Sequence, residues 1–394
     1  MDWSFLIRNK QSLNVTTDSR KVTPGCVFVA LKGEHFDGNA FVEQAREAGA
    51  EYVISGENAL AELQDLARAW RRELGLPILG ITGTNGKTTT KELCAAVLKT
   101  KYNLYYTQGN LNNQLGVPLT LLSITRAHEM AIVEMGASHP GDIQELVEIA
   151  EPNCGLITNV GKAHLQGFGS FEGVQKTKAE LYDYLRAHGG YCFRNMDNPY
   201  LAKMAGDLKT IGYTTGTMPE GTHLVGGYNA ENVSAAICVG KHFGISEQAA
   251  LEAIRAYVPS NNRSQLMQTD KNTVVVDAYN ANPTSMTAAI EAFDRSPITI
   301  HQSPKPKAYI LGAMRELGDY SHLEHQNIVN MLLERKADKV MLVGEEYKQT
   351  TAPYPVFDDV EALCEHLQKE PLSGYTILLK GSRSNQLEKV IPLL

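Results

Sequence analysis

One stretch in the first quarter of the chain limits the possible folds more than any other. An apolar strand pattern begins at Ile78, glycines follow at positions 80, 83 and 86, and Lys87-Thr88-Thr89 opens a helical pattern. A strand, a glycine-rich turn and a helix in this order bring backbone amides and a helix N-terminus together, where they can cradle phosphate oxygens. The sequence therefore predicts a loop that binds a nucleotide triphosphate.

Two side chains of this loop have expected roles. Lys87 would bridge the outer phosphates, and the Thr88 hydroxyl would bind Mg²⁺. The loop departs from the strict pattern G-x-x-x-x-G-K-[ST], because Ile81 stands where that pattern has its first glycine. The alternative is a turn before a surface helix with a solvated lysine, and the order of strand, loop and helix favours the phosphate loop.

The rest of the chain alternates strand and helix patterns, which is typical of α/β proteins. Its 394 residues are enough for two or three domains. Residues 1–75 form a small α/β pattern that the helical stretch 60–74 closes. Residues 76–259 predict a central phosphate-loop ATPase domain with a mostly parallel sheet, and residues 260–394 predict a doubly wound, Rossmann-like domain. We therefore expect three α/β domains with these boundaries.

Charge and apolar patterning exclude several classes of protein. The 37 Lys plus Arg against 44 Asp plus Glu give a net charge of −7, and the basic residues are dispersed, which disfavours nucleic-acid and membrane-surface binding. No run of 18 apolar residues and no leader-like N-terminus is visible. The six cysteines lie far apart without a C-x-x-C pair, which favours reduced thiols over a disulfide framework or a zinc site. We expect a cytoplasmic protein.

Three further positions could carry chemistry. Glu134 ends an apolar strand pattern, at the sheet edge where parallel α/β proteins bind ligands, and is a candidate Mg²⁺ ligand or else a solvated carboxylate. His164 follows the next strand pattern at the same edge, so it could contact metal or phosphate, although a lone histidine is more often structural. Lys178 lies in a helical pattern and by itself resembles an exposed lysine.

Taken together, these segments resemble the Mur ligase family over nearly the whole chain. The phosphate loop is common to that family, whereas the Asp-x-Tyr-Asn-Ala-Asn-Pro and Lys-Gly-Ser-Arg strings resemble its D-alanyl-D-alanine-adding branch. The strings that carry the resemblance are Thr17–Arg20, Gly25–Leu31, Phe36–Gly38, Gly83–Thr89, Gly109–Asn113, Val133–Gly136, Thr158–Val160, Asn261–Arg263, Asp277–Pro283, Leu311–Gly318 and Lys380–Ser384.

The resemblance implies an enzyme that ligates D-alanyl-D-alanine to UDP-N-acetylmuramoyl-tripeptide with ATP. The reaction would pass through an acyl phosphate, release ADP and phosphate, and give the pentapeptide precursor of peptidoglycan. A UDP-sugar-binding first domain, two Mg²⁺ ions and a carbamylated Lys178 are further implications. We expect a monomer with small-molecule substrates, and neither nucleic-acid partners nor membrane insertion.

The resemblance also implies a set of site residues. The implied catalytic residues are Lys87, Glu134, His164 and Lys178, and the metal ligands are Thr88, Glu134, His164 and Lys178. The residues implied for ATP are Gly83, Thr84, Asn85, Gly86, Lys87, Thr88 and Thr89, with Asn229 and Asn232 near the adenine and Arg263 and Asp277 at phosphates and ribose. Those implied for the other substrates are Ser19, Arg20, Asn112, Asn113, Asn280, Asn282, Ser382 and Arg383.

One departure and several rivals remain. The connection between Tyr213 and Thr222 is shorter than the family usually has, which bears on the assignment of Asn229. The rivals are sister ligases that add diaminopimelate or lysine, the folylpolyglutamate synthases, and, from another class, a nucleotide-dependent switch that binds ATP without ligating. The first-domain motifs disfavour the folate enzymes, the third-domain strings disfavour the sister ligases, and the catalytic set disfavours a switch.

Overall fold

Three β-sheets organise the chain in the computed structural model, which describes residues 2–259, 263–295, 305–335, 337 and 339–394. Asn261 and Asn262, part of one motif above, lie outside the described residues. Each sheet falls within one of the three segments predicted as domains, and the boundaries themselves stay predictions. The predicted α/β class is confirmed. Within the described part of the chain, no helix is both long and apolar enough to span a membrane.

The strands are short and mostly buried. In chain order they are β1 (Val15–Thr16), β2 (Val27–Val29), β3 (Tyr52–Ile54), β4 (Ile78–Thr82), β5 (Leu104–Tyr106), β6 (Met130–Glu134), β7 (Cys154–Ile157), β8 (Tyr191–Asn195), β9 (Thr210–Tyr213), β10 (Gln265–Gln268), β11 (Thr273–Asp277), β12 (Lys307–Gly312), β13 (Lys339–Val343), β14 (Val356–Phe357) and β15 (Thr376–Lys380).

The α-helices connect these strands. We number those of the described residues α1 (Ser4–Ile7), α2 (Val42–Glu47), α3 (Ala59–Leu74), α4 (Lys87–Leu98), α5 (Gly116–Leu122), α6 (Asp142–Ala150), α7 (Leu165–Phe168), α8 (Phe171–Ala187), α9 (Pro199–Ala205), α10 (Asn229–His242), α11 (Glu247–Ala256), α12 (Pro283–Arg295), α13 (Ser321–Glu334) and α14 (Val360–Lys369).

The first sheet is parallel, in the order β1-β2-β3. Helix α3 follows it, with Leu63, Leu66, Ala67 and Trp70 forming a fully buried apolar face at helical spacing. This face does more than close the first unit, because α3 also packs against α5 and α6 of the middle unit. The Trp70 indole donates a hydrogen bond to the Ile124 carbonyl at 2.9 Å. The first and middle units therefore share one hydrophobic core.

The middle sheet has six parallel strands in the order β5-β6-β4-β7-β8-β9. Strand β4 lies between β6 and β7 and is buried along its whole length, as a strand covered on both faces should be. The sheet ends at β9, and the chain then runs without another strand to α10. The C-terminal ends of β6, β4 and β7 lie side by side, which places Glu134, the phosphate loop and the segment 158–164 at one edge.

The third sheet has the order β10-β11-β15-β12-β13-β14, in which β10 alone is antiparallel. Helices α12 and α13 cover one face and α14 covers the other, which is the doubly wound arrangement predicted. The register of β11 with β15 sets Asp277 opposite Lys380 at the end of both strands.

Candidate active site

The phosphate loop is shaped by two glycines with left-handed backbone angles. Gly83 has φ +141° and Gly86 has φ +77°. A Cβ atom on Gly83 would lie 2.0 Å from Thr158 Oγ1, and one on Gly86 would lie 2.5 Å from Asn232 Oδ1. Neither position accepts a side chain, for steric and conformational reasons together. Gly86 caps α4, whose first amides have no acceptor within the helix and are free to bind an anion.

The residues that follow β7 hold this loop in place. Thr84 N donates to Asn159 O at 2.9 Å, and Asn85 N donates to Asn159 Oδ1 at 3.0 Å. Thr158 Oγ1 donates in turn to the Asn85 carbonyl at 2.6 Å. Thr158 and Asn159 belong to a string shared with the family, and their role, which the sequence did not indicate, is to support the loop.

Lys87 folds back over the loop that it follows. Its Nζ donates to Gly83 O at 2.8 Å and to Thr84 O at 3.2 Å. Burial lowers the pKa of Lys87, and the Arg263 charge lowers it further while Glu134 opposes the shift. The amine thus lies within the loop, close to the helix N-terminus where a phosphate would bind.

Glu134 is buried, with only 1% of its surface exposed. Its Oε1 accepts hydrogen bonds from Thr88 Oγ1 at 3.1 Å and from Asn112 Nδ2 at 2.9 Å. Its Oε2 has no hydrogen-bond partner among the described residues, and Lys91 Nζ lies 3.7 Å from it. The alternative of a solvated carboxylate is therefore excluded, and Oε2 remains available to a cation. The sequence did not indicate that Lys91 belongs to this site.

His164 has a left-handed backbone, with φ +50°, and its Nδ1 contacts the carboxylate of Glu316 in the third unit. The hydrogen bond from His164 is the largest cause of a lowered Glu316 pKa. The backbone joins the same units, because Gln166 N donates to Glu316 O at 3.2 Å. Glu316 lies in a family string, but its pairing across units had no sequence signal.

Lys178 is not the exposed lysine that its helical pattern indicates. It lies on the inner face of α8, with 2% of its surface exposed, and its Nζ is 5.6 Å from the Phe168 ring centroid. Burial lowers its pKa well below the usual value, and the Lys87 charge acts in the same direction. Within the described part of the chain its amine makes no hydrogen bond. The helical pattern did not predict this burial, because the spacing of a lysine along a helix is the same whether its face of the helix is covered or exposed.

Asn229 and Asn232 are buried near the start of α10 and bond to each other, Asn232 Nδ2 donating to Asn229 Oδ1 at 2.9 Å. Asn232 Oδ1 also accepts from Thr90 Oγ1 at 3.0 Å, so α10 is joined to the phosphate-loop helix. Both asparagines line a cavity that also contains the phosphate loop, which we call the main cavity. The short connection after Tyr213 therefore still brings them to the cavity that contains the phosphate loop, and their role at the adenine stays a prediction.

Arg263 and Asp277 bring the third unit to the same cavity. The Arg263 guanidinium stacks on the Tyr279 ring at 3.7 Å, and its buried Nε has no hydrogen-bond partner among the described residues. Asp277 Oδ2 accepts from the buried Lys380 Nζ at 2.7 Å. This pairing balances the Asp277 charge and holds its carboxylate in the wall of the cavity.

One cavity of about 660 Å³ joins most of these groups. Its walls include the predicted residues Thr84, Asn85, Gly86, Lys87, Thr88, Thr89, Asn112, Asn113, Glu134, His164, Asn229, Asn232, Arg263, Asp277, Asn280 and Asn282. Gly83, Lys178, Ser382 and Arg383 are not among its lining residues, although Arg383 stacks on Tyr279 at 5.5 Å and the buried Ser382 Oγ lacks a hydrogen-bond partner among the described residues.

Ser19 and Arg20 lie elsewhere, in a short turn after β1 where Arg20 pairs with Asp18. A second cleft of about 480 Å³ adjoins this turn and is lined by Thr16, Thr17, Asp18 and Lys21 from the first unit and by Leu119, Leu122 and Ser123 from the middle unit. The predicted first-domain site is thus separate from the main cavity.

No group of three or more His, Cys, Asp or Glu side chains that could hold a metal occurs among the described residues. A site built only from protein ligands is therefore not seen there. Mg²⁺ in phosphoryl-transfer sites instead binds through one or two carboxylates together with phosphates and water. Glu134, whose Oε2 has no hydrogen-bond partner among the described residues and whose Oε1 accepts from Thr88 of the phosphate loop, fits that second kind of site.

Three family models match the chain. They are described as "Mur ligase family, catalytic domain" for residues 13–96, "Mur ligase middle domain" for residues 81–220 and "Mur ligase, glutamate ligase domain" for residues 262–383. Together they extend from the first sheet to the end of the third.

Curated relatives and a solved structure agree with these matches. The UDP-N-acetylmuramoyl-tripeptide–D-alanyl-D-alanine ligase of Bacillus subtilis is 34% identical, with 96% of this chain and 92% of the relative covered. The Escherichia coli enzyme of the same name is 32% identical, with 96% and 93% covered. The crystal structure of the MurF ligase from Thermotoga maritima in complex with ADP matches with a TM-score of 0.85 at 27% identity and covers 98% of both chains.

Proposed function

The chain belongs to the Mur ligase family, and we propose that it joins D-alanyl-D-alanine to UDP-N-acetylmuramoyl-tripeptide with ATP as the phosphoryl donor. The observation that carries the proposal is the single cavity in which the phosphate loop of the middle unit faces Arg263 and Asp277 of the third. Relatives with this activity in their names, at more than 30% identity over nearly the full chain, favour it over the sister ligases and the folate enzymes.

The reaction has two steps. The terminal carboxylate of the tripeptide attacks the γ-phosphorus of ATP, which gives an acyl phosphate and ADP. The amine of D-alanyl-D-alanine then attacks the acyl carbon, and phosphate leaves as the amide forms. Negative charge gathers on the transferring phosphoryl group in the first step and on the acyl oxygen in the second, so the site acts mainly by positioning and electrostatic stabilisation.

The chain's own residues divide this work. Lys87 and the first amides of α4 would bind the β- and γ-phosphates, since α4 begins at Lys87 and the Lys87 amine folds back over the loop to Gly83 O. Arg263, held flat against Tyr279, would contact phosphate from the third domain, and Asp277 would accept a ribose hydroxyl. Asn229 and Asn232 would lie near the adenine. A bound nucleotide would then be enclosed by two domains, away from bulk water.

We further propose two Mg²⁺ ions, with Thr88, Glu134, His164 and Lys178 as the residues that would hold them. Magnesium would supply positive charge that stabilises phosphoryl transfer. The buried Lys178 amine, which makes no hydrogen bond among the described residues, suits carbamylation, because carbon dioxide reacts with a neutral amine and the product is an anion. Glu134 suits magnesium because Oε2 is buried and has no hydrogen-bond partner within the described chain.

The remaining substrate groups are assigned by position. The second cleft, next to Ser19 and Arg20, is our proposed site for the UDP part of the nucleotide sugar. Asn112 and Asn113 line the main cavity together with the phosphate loop, and we propose that they contact the peptide. Asn280, Asn282, Ser382 and Arg383 lie in the third domain and are proposed to bind the incoming dipeptide. We keep the domain boundaries 1–75, 76–259 and 260–394.

A phosphate-release assay with each component omitted in turn tests this proposal. We expect release only when ATP, Mg²⁺, the UDP-tripeptide and D-alanyl-D-alanine are all present, with a pentapeptide product by mass spectrometry. Release with diaminopimelate or lysine and the shorter nucleotide peptide would instead identify a sister ligase. Release that needs no acceptor substrate would identify a nucleotide-dependent switch.

A further inference from the structure

Lys91 is a buried cation to which the proposed reaction assigns no role. It lies on α4 one helical turn after Lys87, and none of its side chain is exposed. Its Nζ donates to Thr107 O at 2.7 Å and lies 3.1 Å from Glu92 Oε1 and 3.7 Å from Glu134 Oε2. A charge with no access to water persists only where such partners balance it, so these contacts define what Lys91 does.

The same lysine fixes the segment that supports Glu134 from the other side. Thr107 Oγ1 accepts the Glu134 backbone N–H at 3.0 Å, and Lys91 Nζ lies 3.5 Å from Gly109 O. Asn112, three residues beyond Gly109, donates to Glu134 Oε1 at 2.9 Å. Lys91 therefore joins α4, the segment 107–112 and the Glu134 carboxylate into one buried polar group.

We propose that Lys91 is a positioning residue that presents Glu134 Oε2 to a divalent cation. Oε1 is already used by Thr88 and Asn112, whereas Oε2 has no hydrogen-bond partner in the described chain. At 3.7 Å the ammonium balances the carboxylate charge without donating a hydrogen bond, so the lone pairs of Oε2 stay available. The inference rests on the proposed function, in which Glu134 binds Mg²⁺.

Magnesium titration of nucleotide binding tests the inference without turnover. ADP is titrated calorimetrically into the full-length protein at a series of Mg²⁺ concentrations. In Lys91→Met the segment 107–112 loses its anchor, and with it the Asn112 hydrogen bond that orients Glu134. We expect this loss of orientation to outweigh the removal of a positive charge and to raise the half-saturating Mg²⁺ concentration about tenfold, as for other residues that orient metal ligands. A merely structural defect would lower the fraction of protein that binds and leave that concentration unchanged.

Lys99→Met is the matched control. Lys99 is an exposed lysine at the end of the same helix, and its Nζ lies 4.3 Å from the centroid of the same Tyr106 ring that Lys91 approaches at 5.6 Å. We expect its magnesium dependence to match that of the unmodified protein. A Lys91→Met protein whose half-saturating Mg²⁺ concentration lies within about twofold of that of Lys99→Met, well short of the tenfold effect, overturns the inference.

A double-mutant cycle in EDTA covers the case in which Lys91→Met folds poorly. Removing the lysine alone leaves Glu134 as an unpaired buried anion, so Lys91→Met with Glu134→Gln should recover much of the lost thermal stability. Equal losses in the single and double variants would contradict the inference. The phosphate-release assay on the unmodified protein runs in parallel. If that assay fails, the proposed function is wrong, and if it succeeds while the Lys91 variants behave like the control, this inference alone is wrong.

Discussion

Asn85 and Asn282 pair their side-chain amides across two domains. Asn282 Nδ2 donates to Asn85 Oδ1 at 2.8 Å, and Asn85 Nδ2 donates back to Asn282 Oδ1 at 3.4 Å. Asn85 belongs to the phosphate loop, and Asn282 precedes α12, where its Oδ1 also accepts from Ser285 N at 2.9 Å. The nearby pair of Lys162 with the buried Glu324, at 2.9 Å, joins the same domains. In this structure the third domain thus rests on the phosphate loop.

Asn282→Ser should remove the pairing with Asn85 and keep the hydrogen bond that caps α12. Serine can still accept the Ser285 amide as a cap but has no amide group for Asn85. We expect kcat/KM for ATP to fall about tenfold, the effect of losing one or two hydrogen bonds, with an unchanged melting temperature. Asn282→Ala, which loses the cap as well, should also melt earlier. A serine variant with the original kcat/KM would show that the pairing does not contribute to nucleotide use.

Lys87→Ala should abolish ligation and leave the fold intact. The amine contacts loop carbonyls rather than the core, and its charge acts on the transferring phosphoryl group. Removing such a group commonly lowers turnover by about 100-fold or more. Phosphate release measures the loss, and circular dichroism confirms folding. Retention of more than roughly a tenth of turnover would show that Lys87 does not act on phosphate.

Lys178→Ala should be nearly inactive, and short carboxylic acids should partly restore it by occupying the place of the carbamate. Lys176→Ala is the control, since Lys176 is exposed on the same helix and should behave like the unmodified protein. Activity is measured by phosphate release with and without added acetate. Full activity of the unmodified enzyme in buffer free of carbon dioxide would count against the modification.

His325 should make the third domain sensitive to acid. Its ring is fully buried, Nε2 accepts from Met314 N at 3.0 Å, and Nδ1 lies 2.7 Å from Ser321 O. Burial lowers its pKa below 6.5, against the opposing effects of the Ser321 carbonyl and of Glu346. As the pH falls below 6.5, the unfolded chain binds the proton more readily than the folded one, so the free energy of unfolding decreases.

Denaturant unfolding between pH 7 and pH 5 measures this effect. We expect a steeper loss of stability in the unmodified protein than in His325→Gln, whose amide oxygen can still accept from Met314 N but does not titrate. Above pH 7 the histidine is neutral in both states and the difference between the two proteins should be constant. Identical pH dependences would remove His325 as the source.

Sequence patterns predicted those features of the site that depend on residues adjacent in the chain. They did not predict the features that depend on tertiary packing. The phosphate loop was predictable because one strand, one turn and one helix specify it. Glu134 and His164 were predictable as candidates because parallel strands end at one edge. The burial of Lys178 and Lys91 was not predictable, since a lysine within a helical pattern gives no sign of which face is covered. The pairing of His164 with Glu316 depends on how two domains meet, which no local spacing encodes.

The face of α3 that carries Trp70 affects the order in which the domains unfold. Because that face is buried in a core common to the first two sheets, cutting the chain after residue 75 would expose it on one fragment and leave its partners bare on the other. The apolar clusters of the third sheet are separate, and apart from Val225 their buried residues all lie from position 274 onward. Heating should therefore melt the first two domains as one cooperative block, whereas the third, tied to them largely through side-chain hydrogen bonds and ion pairs, can detach while still folded.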